Sequence, residues 1–511
     1  MSLTRAYLAS TALTMSLLAT SAAADLTSAD VWGDWRGYLE AMGYSVTATE
    51  IASGDTLSVN DISVQMNGGP DIEEMSISMG SLQFVTAKNG SVEVVMPASL
   101  PIVIEVTPKS TEKAARLVLN YTQSGHSMTA SGDPSAMIYN YSAEKFGLAL
   151  AALTVDGTEF DETSARFSLT GDAMQSQTTV TAGQTRDYVQ SIQWGSIVYD
   201  LFFKSPDGVE SMTTNTVINE MAFSGTSTVP VDDISQAQDL GPLLAAGFAF
   251  DGSGTTKSTE TKVEIVSEEG TSKIKSGAAS TTLAVAMGQD GIRYDVDATK
   301  VQIGAELAGL PFPLFAEMEN SGFEITVPLM KSDDSQDFAL AFNMTDFTMS
   351  DIIWALFDPS SQLPRDPATI ALGLSGKAKV LVDALAPDAV QDIVASGGTA
   401  GELEALKIDT LTINAVGASV DATGDLTFDN TDKTTLPGFP KPVGDININL
   451  AGANGLLDKL VAMGMLPSDQ VMGARMMMGL FAVPGDAPDT LKSKIEFNEE
   501  GQILANGQRL K

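Results

Sequence analysis

The strongest constraint on this chain is an alternation of apolar and polar residues at period two, which runs through the body of the sequence. From Ile292 the apolar positions are Ile292, Tyr294, Val296 and Ala298, with Arg293, Asp295 and Asp297 between them. Successive side chains of a strand point to opposite faces, so one face is apolar and the other charged, as in half-buried antiparallel strands. Turn signals separate the strands, among them Asn89-Gly90, Asp156-Gly157, Asp207-Gly208, Asp290-Gly291 and Glu500-Gly501. Stretches between turns such as 209–226 and 271–289 exceed the usual strand length, which predicts long hairpins in a broad sheet or interrupted strands.

The alternation slips parity at intervals. After Ala298 the apolar set moves to Val301, Ile303, Ala305 and Leu307; Leu57 and Val59 give way to Ile62, Val64 and Met66; Met75, Ile77 and Met79 give way to Leu82 and Phe84. One face stays apolar through such a slip only if a residue is inserted, which makes a β-bulge. The alternative is a turn between two short strands. Bulges bend strands, so the fold class expected is mainly β (α+β), with large curved antiparallel sheets and accessory helices.

Helices are expected at ends and joints. Asp30 can cap a segment through Trp32, Trp35, Leu39 and Met42 to Gly43, an N-terminal lid on the sheet. Further candidates are Asp232 to Gly247, Ile352 to Phe357 after Ser350 or Thr348, and Asp388 to Ala395. A C-terminal helical hairpin is expected over 454–481, its second arm apolar almost all round and therefore deeply buried. Ile495 and Phe497 should pair with Ile503 in a closing β-hairpin. The organisation expected is a signal peptide at 1–24, an N-terminal β-rich half at 25–240 and a C-terminal half at 241–511, or one continuous domain.

Composition narrows the chemistry. The chain has no Cys and one His, His126, so disulfides, cysteine-based metal centres, thiol nucleophiles and multi-His metal sites are excluded. With 29 basic against 65 acidic residues the formal charge is −36, which disfavours nucleic acid as a partner. Arg5, the apolar run from Ala6 to Ala19 and the small residues Ala22-Ala23-Ala24 read as a secretory signal cut after Ala24. No later run suits a transmembrane helix, so the mature protein is expected to be exported, periplasmic and soluble.

Motifs of catalysis are weak. Gly373-Leu374-Ser375-Gly376-Lys377 only brushes against a phosphate loop and reads as a strand-edge turn. Ser110 with Lys113, and Ser272 with Lys275, have serine–lysine spacing but lack its companion motifs. Asp295, Asp297, Thr299 and Glu306 have calcium-loop spacing, with Lys300 where glycine is required. Acidic pairs at Asp232-Asp233, Glu268-Glu269, Asp333-Asp334 and Glu499-Glu500 sit at turns, where they are simply solvated; His126 reads as an exposed turn residue. No catalytic residue, metal or cofactor is assigned.

Two apolar groups are more informative. Leu310, Phe312, Leu314 and Phe315, with Pro311 and Pro313, form a loop either tucked under the sheet or standing as a lip beside a groove. Met472 and Met476, with Met477 and Met478, fill a core or line a pliable binding surface; thioether copper binding lacks supporting His or Cys. A broad sheet with one apolar face needs a cover, and the helices are few. Either a second sheet packs on it or it curls into a trough for an apolar ligand.

The run Met349 to Pro359, Leu363-Pro364-Arg365-Asp366-Pro367-Ala368-Thr369, and Leu372, Leu374, Ser375 and Gly376 resemble an exported bacterial family described as domain of unknown function 2125. Gly417-Ala418, Gly424-Asp425-Leu426, Pro442-Val443-Gly444 and the helix from Leu456 to Gly464 are similar to it as well. The resemblance implies a cell-envelope association and carries no catalytic residue. The function expected is a non-enzymatic periplasmic protein binding lipid or another apolar ligand in a β-lined groove, through Leu310, Phe312, Leu314, Phe315, Met472 and Met476. The alternatives are a structural or protein-interaction module of the envelope and a carboxylate-based glycan hydrolase, which needs two facing acids.

Overall fold

The structure, a computed structural model, describes residues 25–67, 72–109, 114–231, 240–383, 385, 393, 395 and 399–511. Its strands belong to one antiparallel sheet. The first third comprises β1 (Ser45–Ser53), β2 (Thr56–Asn67), β3 (Ile72–Met79), β4 (Leu82–Thr86), β5 (Val92–Val95), β6 (Ser99–Pro108), β7 (Ala115–Ser124), β8 (Ser127–Asp133) and β9 (Ala136–Val155). Next come β10 (Thr158–Phe160), β11 (Ala165–Ala182), β12 (Thr185–Lys204), β13 (Ser211–Pro230), β14 (Ala249–Thr256), β15 (Ser258–Ser267), β16 (Gly270–Ala278), β17 (Ser280–Gly288) and β18 (Gly291–Glu306). The remainder are β19 (Leu314–Val327), β20 (Gln336–Met349), β21 (Ala368–Val380), β22 (Gly401–Ala415), β23 (Ala418–Asp429), β24 (Lys441–Ala451), β25 (Val483–Pro484), β26 (Thr490–Phe497), β27 (Ile503–Ala505) and β28 (Gln508–Arg509).

The topology is a meander in which some long strands are broken in two. β3 and β4 both lie along β2, β7 and β8 both along β9, and β14 and β15 both along β13. The sheet is hydrogen-bonded without a gap across residue 240, because β13 pairs with β14 and β15. The long stretches between turns are therefore long strands, some of them interrupted.

All the parity slips fall on one line. Asp61 takes φ 53° and bulges β2 against β1, where the register shifts between Thr47 and Thr49. Further along, the residues at the break include Ala173, Glu220, Lys300 and Asp346, all with φ between 47° and 51°. Pairings on either side place Ala173 opposite Gly195, Gly195 opposite Glu220, Lys300 opposite Glu319, and Glu319 opposite Asp346. At Thr299-Lys300 the ladders do not shift, because each neighbouring strand carries a matching interruption at the same height. The slips thus act together as a crease that divides the sheet into two flanks.

Positive φ is unfavourable for residues with a Cβ, and an interrupted ladder leaves backbone groups unpaired. Side chains take up part of the deficit: the Asp172 carboxylate accepts from Ser196 N at 2.9 Å, and Thr369 Oγ1 accepts from Asp346 N at 3.3 Å. Where Glu144 crosses, Gly125 takes φ 63°, and a Cβ there would lie 2.5 Å from the Glu144 side chain. Asp61, Glu144, Glu220, Lys257, Lys300, Glu319 and Asp346 are all exposed along the crease, so the inserted positions face water and the apolar set stays on the other side.

A buried core exists at the N-terminal end. The first helix, α1 (Ser28–Ala41), begins with Thr27 as its cap and Asp30 reaching back to the Thr27 backbone, so Asp30 is the partner of the cap rather than the cap itself. It lays Val31, Trp32 and Trp35 over Val59, Phe84, Val92 and Val94. Residues from both flanks, such as Val59 and Ile62, share this core, which shows the sheet bent toward its apolar side there.

The other helices sit at strand ends: α2 (Leu240–Ala245), α3 (Asp351–Phe357), α4 (Ala453–Ala462) and α5 (Ser468–Phe481). Of the helix expected from Asp232, residues 232–239 lie outside the described residues, as does most of Asp388 to Ala395. α3 follows Ser350 and stops at Asp358, which is fully buried and accepts from Gln362 N and Leu363 N, both at 2.9 Å. Burial pushes the Asp358 carboxyl up, but those two N–H groups and Arg365 outweigh it and hold it below the ordinary carboxylate range. Ile495 and Phe497 pair with Ala505 and Ile503.

The helical hairpin corrects one expectation. Only Val471 of α5 is buried, while Met472, Met476, Met477 and Leu480 are exposed. An apolar composition all round does not bury a helix when nothing packs on its outer side. The hairpin is anchored by Asp489, whose carboxylate accepts from Asn454 N at 3.1 Å and Gly455 N at 2.9 Å at the start of α4. Burial raises the Asp489 carboxyl, but these donors and Arg475 more than offset it, leaving it below the ordinary value. A depressed folded-state value means stability present at neutral pH and lost as pH falls through that value. Protection of the α4 amides, taken relative to the intrinsic exchange rate at each pH, should therefore fall as pH drops below about 4, and Asp489→Asn should show the weaker protection already at pH 7.

Candidate functional site

Strand register assembles one apolar face from residues far apart in sequence. A single row crosses the sheet through Ile192, Phe223, Gly254, Leu283, Val296, Phe323, Phe342, Leu372, Leu411, Ala422 and Ile448. The neighbouring row on the same ladders, which points to the opposite face, reads Gln193, Ala222, Thr255, Thr282, Asp297, Gly322, Asn343, Ala371, Thr412, Asp421 and Asn449. One step along each strand changes the surface from hydrocarbon to polar groups. Beyond the crease the apolar face continues through Leu201, Thr214, Val263, Ile274, Ala305 and Leu314.

This face is open over its middle. Among the described residues of β12 to β22, Val229 is the only large aliphatic or aromatic side chain on a strand that is fully buried. Leu283, Tyr294, Ile303, Phe323, Phe342 and Ile413, all on the apolar face, are between 38 and 41% exposed. No second sheet covers them among the described residues, so the sandwich alternative does not describe this fold. From β12 to β22 the open stretch runs over eight interstrand steps, roughly 40 Å at about 4.8 Å per step.

Its ends are closed by helices. α1 covers the N-terminal end, held there by a buried ion pair between Asp34 and Arg186, with the Tyr139 hydroxyl donating to Asp34 at 2.7 Å. At the other end α4 packs against β23, where Ala422 is buried, and the Phe481 carbonyl accepts from Ser493 on β26 at 2.6 Å. Within the face, the Phe223 and Phe250 rings stack with centroids 6.4 Å apart. They close over Gly252, where a Cβ would lie 2.6 Å from one ring and 2.8 Å from the other. Small residues here leave room for aromatic side chains to lie along the sheet.

The residues expected to bind ligand divide between two places. Leu314 lies on the apolar face, opposite Ala305. Phe315 pairs with Gly304 and turns to the polar side, while Leu310 is exposed in the loop before β19, so this segment stands as a lip rather than under the sheet. Phe312 is half-buried in the same loop. Met472 and Met476 are on the outer side of α5, away from the strand rows. Most of the face, including Phe323 and Phe342, was not singled out from sequence. The signal was present in the alternation of each strand, but the pairing register is needed to see the strands as one surface.

The polar side carries a cavity of about 1140 Å³ against β13, β15, β16 and β18. Most of its charges pair with one another: Lys262 and Lys275 with Glu260, and Lys273 with Glu264. That leaves a balanced, solvated surface. Exposed pairs of this kind contribute little to stability.

The weak motifs stay weak in three dimensions. Ser272 pairs with Ile265 and Lys275 with Lys262, which puts the two side chains on opposite faces; Ser110 and Lys113 lie outside the described residues. Gly373 to Lys377 lies inside β21, not at a strand-edge turn. His126 is half-buried rather than solvated, with Nε2 3.1 Å from the Val94 carbonyl and its ring against Tyr141. Among the described residues no group of three or more His, Cys, Asp or Glu side chains is arranged to hold a metal. No described helix is long and apolar enough to cross a membrane.

The fold and the face define a class by architecture alone: a creased, single-layer antiparallel sheet with one open apolar side. No family model matches the chain, and no curated protein matches it.

Proposed function

We propose that this is an exported, non-enzymatic protein of the cell envelope that holds lipid or another long apolar ligand along the apolar face of β12 to β22. The observation that carries the reading is the unbroken apolar row from Ile192 to Leu411, open to its surroundings yet enclosed by helices at both ends. Monomeric proteins rarely leave more than a few hundred Å² of contiguous apolar surface in water, because each Å² costs about 25 cal/mol. An elongated ligand that follows the rows removes that cost. The signal-like N-terminus supports the periplasmic setting.

Native mass spectrometry of the protein purified from the periplasm tests this reading directly. The expected spectrum shows a polypeptide beginning at Asp25 that carries one or more lipid-sized adducts, recovered as lipid in organic extracts. A ligand-free protein, with a second polypeptide retained on the sheet instead, would give the protein-interaction module precedence.

A further inference from the structure

We propose that one long edge of the sheet docks onto a lipid bilayer surface of no net charge. Three consecutive insertions leave the sheet at the same edge: the loop at 307–313, helix α3 with its following turn, and the α4–α5 hairpin. Each presents apolar side chains to the outside. Leu310 does so in the loop and Leu356 (66% exposed) on α3, while Met472 (73%), Met476 (72%) and Leu480 (54%) do so on α5. The last three recur at intervals of four, which places them on one side of a 14-residue helix.

Exposure this high means projecting side chains, not the lining of a groove. Projections from three separate insertions suit a fluid apolar phase that moulds around them, and methionine and leucine are flexible enough to enter it. The charge distribution selects the headgroups. Although the chain carries −36, the loop at 307–313 has no ionisable group, and in the hairpin Asp458 and Asp469 are balanced by Lys459 and Arg475; the α3 segment alone is acidic, with Asp351, Asp358 and Asp366 against Arg365. Arg475 is itself bound to Asp458 at 2.7 Å. An anionic membrane would repel the body of the protein; a zwitterionic one would not. The lip is also continuous with the apolar face: Leu314 enters that face directly after the loop, and α5 ends at the Phe481 contact with Ser493. The docking does not depend on the face holding a ligand.

Flotation of the mature chain with phosphatidylcholine vesicles tests the proposal. Wild-type protein and the Met472→Leu/Met476→Leu variant are expected to float, whereas Met472→Asp/Met476→Asp should lose at least tenfold in partitioning with an unchanged circular dichroism spectrum. Phe342→Asp, which alters the apolar face and not the lip, should float like wild type. Failure of the wild type to float, equal flotation of the Asp variant, or loss with Phe342→Asp would each overturn the proposal. So would a wild-type dimer in vesicle-free solution that the Asp variant dissociates, because a second copy would then cover the lip.

Discussion

Phe342→Asp is expected to strip the protein of its apolar ligand while leaving the sheet folded. Phe342 stands mid-row, between Phe323 on β19 and Leu372 on β21, and is 39% exposed. Because the side chain is not enclosed in a core, replacing it removes little packing from the folded state. With a hydrocarbon chain laid over it, however, a carboxylate must be dehydrated without a partner. That penalty is several kcal/mol, and ~3 kcal/mol already weakens binding more than a hundredfold. The lipid adducts should disappear from the native mass spectrum, and a fluorescent fatty acid should no longer be retained. Thr326→Asp, which pairs with Arg293 and Ala339 on the opposite face, is the control and should bind as wild type does. Equal ligand loading of the two variants would remove the apolar face as the binding surface.

The second large effect concerns the closed end. Asp34 and Arg186 are 9% and 14% exposed at their side chains, and their pairing fastens α1 to β12 across the core. Removing one member strands the other in a poorly hydrated place, a loss of about 3–5 kcal/mol. Asp34→Ala should accordingly lower the denaturant midpoint and speed hydrogen exchange in β1, β2, β4 and β5, the strands that α1 covers. Asp34→Leu combined with Arg186→Met replaces the pair by packed hydrocarbon and should recover most of the stability. If Asp34→Ala unfolded at the wild-type denaturant concentration, the ion pair would not be what holds the lid.

The two variants probe features that differ in how far they could be read in advance. Phe342 belongs to an alternating strand, so its membership of an apolar face is visible in the sequence around it. That the face stays open depends on what lies above it. Asp34 and Arg186 are 152 positions apart and share no local pattern; only the packing of α1 on the sheet brings them together. The helical hairpin shows the same division. Ser468 to Phe481 is helical as its composition predicts, yet the expectation that it is buried failed, because burial belongs to a residue's neighbours and not to its own hydrophobicity.

The parity slips are the most instructive case. Each slip marks a place where a strand must be broken or bulged to keep one side apolar, and the slips at Asp61, Gly80 and Lys300 all lie at such breaks. What no single strand reveals is that the breaks fall at one height. Register does this, since a meander of hairpins with matched turns passes the position of each break on to the next strand.

By itself, then, the sequence determined the local physics: period-two strands, one apolar side to each of them, helices at the ends, and no residues for thiol or multi-histidine chemistry. The tertiary structure alone decided that these sides join into one continuous face, that its middle lies uncovered, and that α5 turns its methionines outward. The reason is physical: side-chain direction follows from the backbone of a few residues, whereas cover depends on contacts between segments that are separate in the sequence.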